Sequence, residues 1–106
     1  MTGEELFWDL AEPMLADPRV SRSTMMGTPC LRCDGRFLAM VDHRTDALLV
    51  KLPERRVSEL IDAGKGEPFA PAGRTFREWV AVPVPDRARW SALLDEAKAF
   101  AAEGEV

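Results

Sequence analysis

The sequence lacks most of the residues and motifs on which common enzyme classes depend. Among its 106 residues there are no tyrosines, one histidine and two cysteines. It contains no GxxxxGK[ST], GxGxxG or GxSxG motif, which excludes the common phosphate-binding loops and the nucleophile elbow. We therefore expect a non-enzymatic protein with no cofactor.

Long apolar runs are also missing. Stretches such as residues 37–41 are far shorter than the roughly 20 apolar residues needed to cross a bilayer. The N-terminus, Met1-Thr2-Gly3-Glu4-Glu5, is acidic and has neither the basic start nor the apolar stretch of a secretory signal. These features predict a soluble, cytoplasmic protein that makes no contact with membranes.

What remains is the composition of one globular domain. Hydrophobic residues make up 46% of the chain and charged residues 30%, and a chain of this length is long enough for a single core. We expect one domain over residues 1–106.

The formal net charge of -4 argues against nucleic acid as the main partner, because DNA-binding domains are usually basic. Basic residues are nevertheless concentrated between residues 19 and 56, and carboxylates at the two ends. A local basic face formed by Arg22, Arg32, Arg36 and Lys51 therefore keeps DNA as an alternative partner.

The Asp34-Gly35 pair predicts the centre of the fold. A type I′ turn needs positive φ at both central residues, and Asp-Gly between apolar segments is the strongest short-range hairpin signal. Strands are predicted before the turn, up to Cys33, and after it, over residues 36–42. A second turn at residues 43–46 leads to a third strand over 47–52, which completes an antiparallel meander.

Helices are predicted on both sides of the meander. Thr2 and Glu5 form a capping-box pattern that begins the first helix, and Pro13 predicts a kink or an early end. A short second helix follows Pro53, and a third begins near Asp86 and has the most regular apolar spacing in the chain.

The remaining segments complete the predicted order α-β-β-β-α-β-α. Residues 76–82 are predicted as a strand, 65–75 as an ordered loop anchored by Phe69, and 20–26 as compatible with an extended segment. The fold class is therefore α+β, with an antiparallel sheet covered by helices on at least one face.

Cys30 and Cys33 have the CxxC spacing of redox and zinc sites. On one strand, residues three apart face opposite sides with Cα atoms about 10 Å apart, whereas a disulfide needs Cα atoms within about 7 Å. A structural zinc site needs four ligands, and only His43 could join the two thiols. We predict two inert, reduced thiols, no metal site, and a solvated His43 in a turn.

Strict alternation along residues 37–41 places Leu38 and Met40 on one face of the meander and Phe37, Ala39 and Val41 on the other. Both faces would then be apolar. If helices cover only one face, a partner covers the other; the alternative is that helices or the long loop cover both.

Arginine and tryptophan are enriched at binding sites, which makes the cationic residues near the hairpin and the last strand candidates for a binding surface. The alternative is a set of surface salt bridges around a core tryptophan. The full candidate surface consists of Arg22, Arg32, Arg36, Lys51, Arg74, Arg77 and Trp79.

Several segments across the chain also resemble the N-terminal domain of TfoX-type proteins, which is similar to the MmcQ/YjbR-like superfamily. The resembling segments are Met25-Met26-Gly27, Leu31, Asp34-Gly35-Arg36-Phe37-Leu38-Ala39-Met40-Val41, Leu49-Val50-Lys51, Glu67-Pro68-Phe69 and Trp79-Val80-Ala81-Val82-Pro83. Thr28 stands where that family usually has the second glycine of a Met-Phe-Gly-Gly start.

The resemblance implies the same element order, a small cytoplasmic bacterial protein and no catalytic residues. TfoX proteins are associated with regulation of competence for DNA uptake, and YjbR-like proteins are often labelled DNA-binding. We therefore expect an interaction or regulatory module that dimerises with itself through an apolar sheet face or edge, or binds another protein. DNA binding is the alternative, and a thiol or metal function ranks third.

Overall fold

The computed structural model describes residues 1–103. Within that range three helices pack against one six-stranded antiparallel sheet, which confirms the predicted α+β class. The elements are α1 (Gly3–Met14), β1 (Val20–Met25), β2 (Thr28–Cys33), β3 (Arg36–Val41), β4 (Leu48–Lys51), α2 (Glu54–Asp62), β5 (Glu67–Pro68), β6 (Trp79–Val82) and α3 (Arg87–Glu103). Across the sheet the strand order is β1-β2-β3-β4-β6-β5.

The structure adds two strands to the predicted order. One is β1, which the sequence indicated only as compatible with extended backbone, and the other is the two-residue β5 inside the predicted loop. The predicted last strand is shorter than expected, because the backbone N-H of Trp79 donates to the carbonyl of Phe76 and residues 76–78 remain in the loop.

The Asp34-Gly35 turn is confirmed by positive φ values of 53° and 79°. Met26 and Gly27 adopt the same conformation, with φ values of 52° and 82°, and join β1 to β2 in a second hairpin. Sequence reasoning took Gly27 only as part of a break. The hairpin was missed because a methionine at positive φ is uncommon, so Met-Gly is not a recognised turn pair.

The predicted helix starts are also confirmed. Thr2 and Glu5 form the full capping box at the start of α1, and the helix ends at Met14, one residue after Pro13. The Asp86 carboxylate accepts from the backbone N-H of Arg89 at 3.0 Å, at the start of α3.

A β-bulge overturns the predicted faces of β3. Leu31 pairs with Ala39 but Arg32 pairs with Phe37, so Leu38 is an extra residue on β3. Leu38 therefore lies on the same face as Ala39 and Val41, and Phe37 shares the opposite face with Met40. Strict alternation failed because a bulge places two consecutive side chains on one side of the sheet.

The two sheet faces are covered differently. The helices pack on one of them, here called the helix face, and enclose the main core around Phe7, Leu38 and Trp90. Trp90 is fully buried, and its indole N-H donates to the carbonyl of Val84 at 3.1 Å. The opposite face, here called the groove face, carries a smaller cluster of buried residues: Cys30, Met40, Leu49 and Trp79.

Candidate functional site

A cavity of about 670 Å³ lies on the groove face and is here called the sheet groove. Its floor is formed by Met40, Leu49 and Trp79, from three neighbouring strands. Three segments form its walls: the β1–β2 turn, the β3–β4 turn and the loop between β5 and β6. The wall residues are Met25, Met26, Thr28, Val41, Asp42, His43, Arg44, Phe69, Pro71, Ala72, Arg74 and Phe76.

Aromatic contacts hold the loop over one part of the groove face. The ring centroid of Phe69 lies 6.4 Å from that of Trp79 and 5.8 Å from that of Phe76. The backbone N-H of Phe76 donates to the carbonyl of Phe69 at 2.9 Å, which closes the loop. Phe69 is therefore the anchor that the sequence predicted. The loop covers only part of this face, since the groove remains beside it.

Charge at the groove comes from a few side chains of the wall. Arg74 lies over the ring of Phe76, with 5.4 Å from the guanidinium carbon to the ring centroid. Arg44 lies in the exposed β3–β4 turn, where its backbone N-H donates to the Asp42 carboxylate at 2.9 Å. Within residues 1–103 neither guanidinium group forms an ion pair.

Of the seven predicted surface residues, the structure brings only Arg74 and Trp79 into the groove. Arg32 lies on the same face but holds the hairpin together: its guanidinium lies 4.0 Å from the ring centroid of Phe37 and donates to Ser23 Oγ at 3.0 Å. Lys51 is paired with Trp79 across the β4–β6 ladder, beside the groove.

The other three predicted residues lie elsewhere. Arg22 reaches the helix face, where its guanidinium lies 4.7 Å from the ring centroid of Trp8. Arg36 donates to the carbonyl of Ala101 in α3 at 3.3 Å, and Arg77 is 3.7 Å from the Glu54 carboxylate at the start of α2. The four cations of the DNA-binding hypothesis are thus divided between two faces of the sheet.

Sequence reasoning missed the methionines and Arg44 as groove residues. Met26 is 98% exposed at the tip of the β1–β2 turn, and Met25 and Met40 lie on the same side of the sheet. The available signal was the apolar Met25-Met26 pair directly before a glycine, which places apolar side chains at a turn.

The two thiols lie on opposite faces, as predicted. Cys30 belongs to the groove-face cluster, and Cys33 to the core under the helices. Burial raises the pKa of both thiols, which favours the neutral form. Within residues 1–103 no group of three or more His, Cys, Asp and Glu side chains could hold a metal ion.

Displaced pKa values elsewhere have structural causes. Hydrogen bonds from Arg19, and a further one from Lys98, hold the pKa of the Asp17 carboxyl well below its usual range. Lys98 Nζ lies 2.9 Å from Asp17 Oδ2, which ties α3 to the segment after α1. Backbone and side-chain hydrogen bonds with Thr2 lower the pKa of Glu5 within the capping box. None of these groups lines the sheet groove.

In the described part of the chain, no helix has the length and apolar character required to cross a membrane. No protein-family model matches the sequence, and no curated protein matches it in a sequence search.

Proposed function

We propose that this protein is a non-enzymatic binding module of the cytoplasm, that it acts as a homodimer, and that the sheet groove is its binding surface. The observation that carries the proposal is the unequal coverage of the sheet: helices cover one face, and a groove of about 670 Å³ remains on the other. Ligand sites typically have volumes of about 300–1,000 Å³, an apolar lining and a few polar groups. The groove matches that description.

A binding role without catalysis is supported by the surroundings of the two cysteines and of the single histidine. Both thiols are buried with raised pKa values, whereas catalytic cysteines have lowered pKa values and partial exposure. The single histidine lies on an exposed turn. A regulatory rather than catalytic role is also what the resemblance to TfoX-type N-terminal domains implies.

The dimer is supported by the difference between the two sheet edges. The β5 edge is short and contains Pro68, features that prevent pairing with another strand. The β1 edge has six residues and no proline. The two-residue Met26-Gly27 turn makes Met25 and Thr28 a hydrogen-bonded pair. Hydrogen-bonded and non-hydrogen-bonded pairs alternate along an antiparallel ladder, so the backbone N-H of the preceding residue, Thr24, points away from β2.

Two β1 strands paired antiparallel about a two-fold axis would satisfy these backbone groups and continue the sheet into a second copy. Sedimentation velocity at tens of micromolar tests this arrangement. We expect a dimer for the wild type and a monomer for Thr24→Pro, which lacks the outward N-H but keeps the inner ladder. Thr24→Ala, which keeps the N-H, is the matched control and stays dimeric. A strictly monomeric wild type would refute the dimer.

The groove is tested separately with Nile red, a neutral dye whose emission shifts in apolar surroundings. We expect saturable binding to the wild type, and its loss in Thr28→Trp, because Thr28 lines the groove and a large side chain fills it. Ser58→Trp, on the exposed side of α2, adds the same side chain elsewhere and leaves binding unchanged. Equal binding by all three proteins would show that the groove is not the binding surface.

The DNA-binding hypothesis has less support, because its four cations are on two faces and Arg22 already lies 3.4 Å from the Glu12 carboxylate. A gel shift at low salt that weakens steeply as salt is added would restore it.

A further inference from the structure

We propose that the ligand of the sheet groove is a small amphipathic anion, an apolar chain or ring system that ends in a carboxylate or phosphate. The inference depends on the proposed function in one respect, namely that the groove is the binding surface. It does not depend on the dimer.

The floor and walls of the groove favour a ligand with an apolar body. Met40, Leu49 and Trp79 form a floor that is almost fully buried, with Trp79 only 8% exposed. Phe69 and Phe76 form an aromatic wall. Methionine side chains are flexible and polarisable, so those on the floor and at the β1–β2 turn can adapt to apolar ligands of different shape.

The wall residues also favour a negatively charged ligand. Two arginines, Arg44 and Arg74, are among the lining residues of the groove, together with one acidic residue, Asp42. Asp42 already accepts a backbone hydrogen bond. The groove is therefore locally positive on a chain whose formal net charge is -4.

Arginine suits an anionic headgroup in particular. Its planar guanidinium binds carboxylate and phosphate oxygens through two parallel hydrogen bonds. The position of Arg74 over the Phe76 ring limits the orientations of that side chain and leaves its N-H groups available, since it has no ion pair within the described chain. An apolar body on the floor would thus place its charged end at the arginines of the wall.

The experiment compares three probes that have the same ten-carbon chain and different headgroups: decanoate, decanol and decylammonium. Binding is measured by titration of amide chemical shifts in ¹⁵N-labelled protein. We expect shifts centred on Met40, Leu49 and Trp79, with decanoate binding more tightly than decanol and decylammonium most weakly. Decyl phosphate then distinguishes a phosphate ligand from a carboxylate ligand.

Substitution of each arginine tests the charge assignment. Arg44→Gln and Arg74→Gln are each expected to weaken decanoate about 2- to 5-fold, the range for exposed ion pairs, and to leave decanol unchanged. Arg55→Gln is the matched control, because Arg55 is 93% exposed on α2 and its substitution removes the same charge outside the groove. Both tested side chains are exposed, and far-UV circular dichroism checks that the variants fold.

Several results would overturn the inference, and they separate it from the proposed function. Equal affinities for the three headgroups would refute an anionic ligand while leaving the groove as a binding surface. The same conclusion would follow if Arg55→Gln weakened decanoate binding as much as Arg44→Gln and Arg74→Gln do. Loss of decanoate binding as protein concentration rises would show that a second copy occupies the groove. Shifts outside the groove for every probe, together with Nile red binding that Thr28→Trp does not change, would refute both.

Discussion

Replacement of Asp46 is expected to destabilise the protein more than its position in a turn suggests. The Asp46 carboxylate accepts hydrogen bonds from the backbone N-H groups of Gly3 and Glu4, the latter at 3.0 Å, so a turn between two central strands caps the first helix. Asp46 also has a φ of 62°, a conformation that aspartate tolerates better than alanine does.

The expected magnitudes follow from these two contributions. Loss of the hydrogen bonds at the helix N-terminus costs about 1–2 kcal/mol, with up to about 1 kcal/mol more from the helix dipole. Alanine adds about 1 kcal/mol for its left-handed backbone. Asp46→Ala should therefore lower the free energy of unfolding by about 2–4 kcal/mol, Asp46→Gly by about 1 kcal/mol less, and Asp46→Asn least.

Urea denaturation followed by tryptophan fluorescence measures these differences, with the m-value expected to remain constant. At about 4–5 °C per kcal/mol for a domain of this size, the loss of about 2–4 kcal/mol in Asp46→Ala should lower Tm by about 8–20 °C. Asp95→Ala, which removes an exposed carboxylate from α3, is the control and should change stability by less than about 0.5 kcal/mol. Equal free energies of unfolding for Asp46→Ala and Asp46→Asn would refute these contributions.

Three further predictions concern the Asp34-Gly35 hairpin, the change of stability at acid pH and the two thiols. Gly35→Ala should destabilise by about 1 kcal/mol through its φ of 79° alone, since no neighbouring atom lies within 4 Å of the added methyl group; a neutral effect in urea denaturation would contradict this. The pKa of Asp17 is lowered in the folded protein, so its contribution is present above its unfolded pKa of about 3.9 and is lost as pH falls. Thermal unfolding between pH 7 and 2 should therefore show a gap between wild type and Asp17→Asn that narrows on acidification, and a constant gap would disprove the linkage. Cys30 and Cys33 should react with Ellman's reagent far more slowly in the native protein than in urea, because both thiols are buried; rapid native labelling would show that one of them is accessible.

Local signals predicted the parts of the fold that depend on short stretches of chain. Thr2 and Glu5 cap a helix within one turn, and Asp34-Gly35 sets two consecutive φ angles, so neither depends on distant contacts. The Met26-Gly27 hairpin and the bulge at Leu38 carried no such signal. A bulge depends on how two strands pair, and hydrophobicity along one strand does not report pairing.

The candidate site was only partly predictable. Trp79, Arg74 and the anchor Phe69 were identified from residue type and loop composition, but Arg22 and Arg36 were grouped with them although both face the helices. Arginines that are close in sequence are separated because alternate strand residues point to opposite faces. Arg44 and Met26 join the groove from two different turns, which the sequence does not relate.

By itself, the sequence determined the α+β class, the capped helices, the Asp34-Gly35 hairpin and the separation of Cys30 from Cys33, because each follows from backbone preferences or from the two-residue period of a strand. Only the tertiary structure decided which sheet face the helices cover, how far the loop at Phe69 extends over the other, and which cations share a surface. Those outcomes depend on strand order, on the bulge and on packing between distant segments, and they produce the sheet groove.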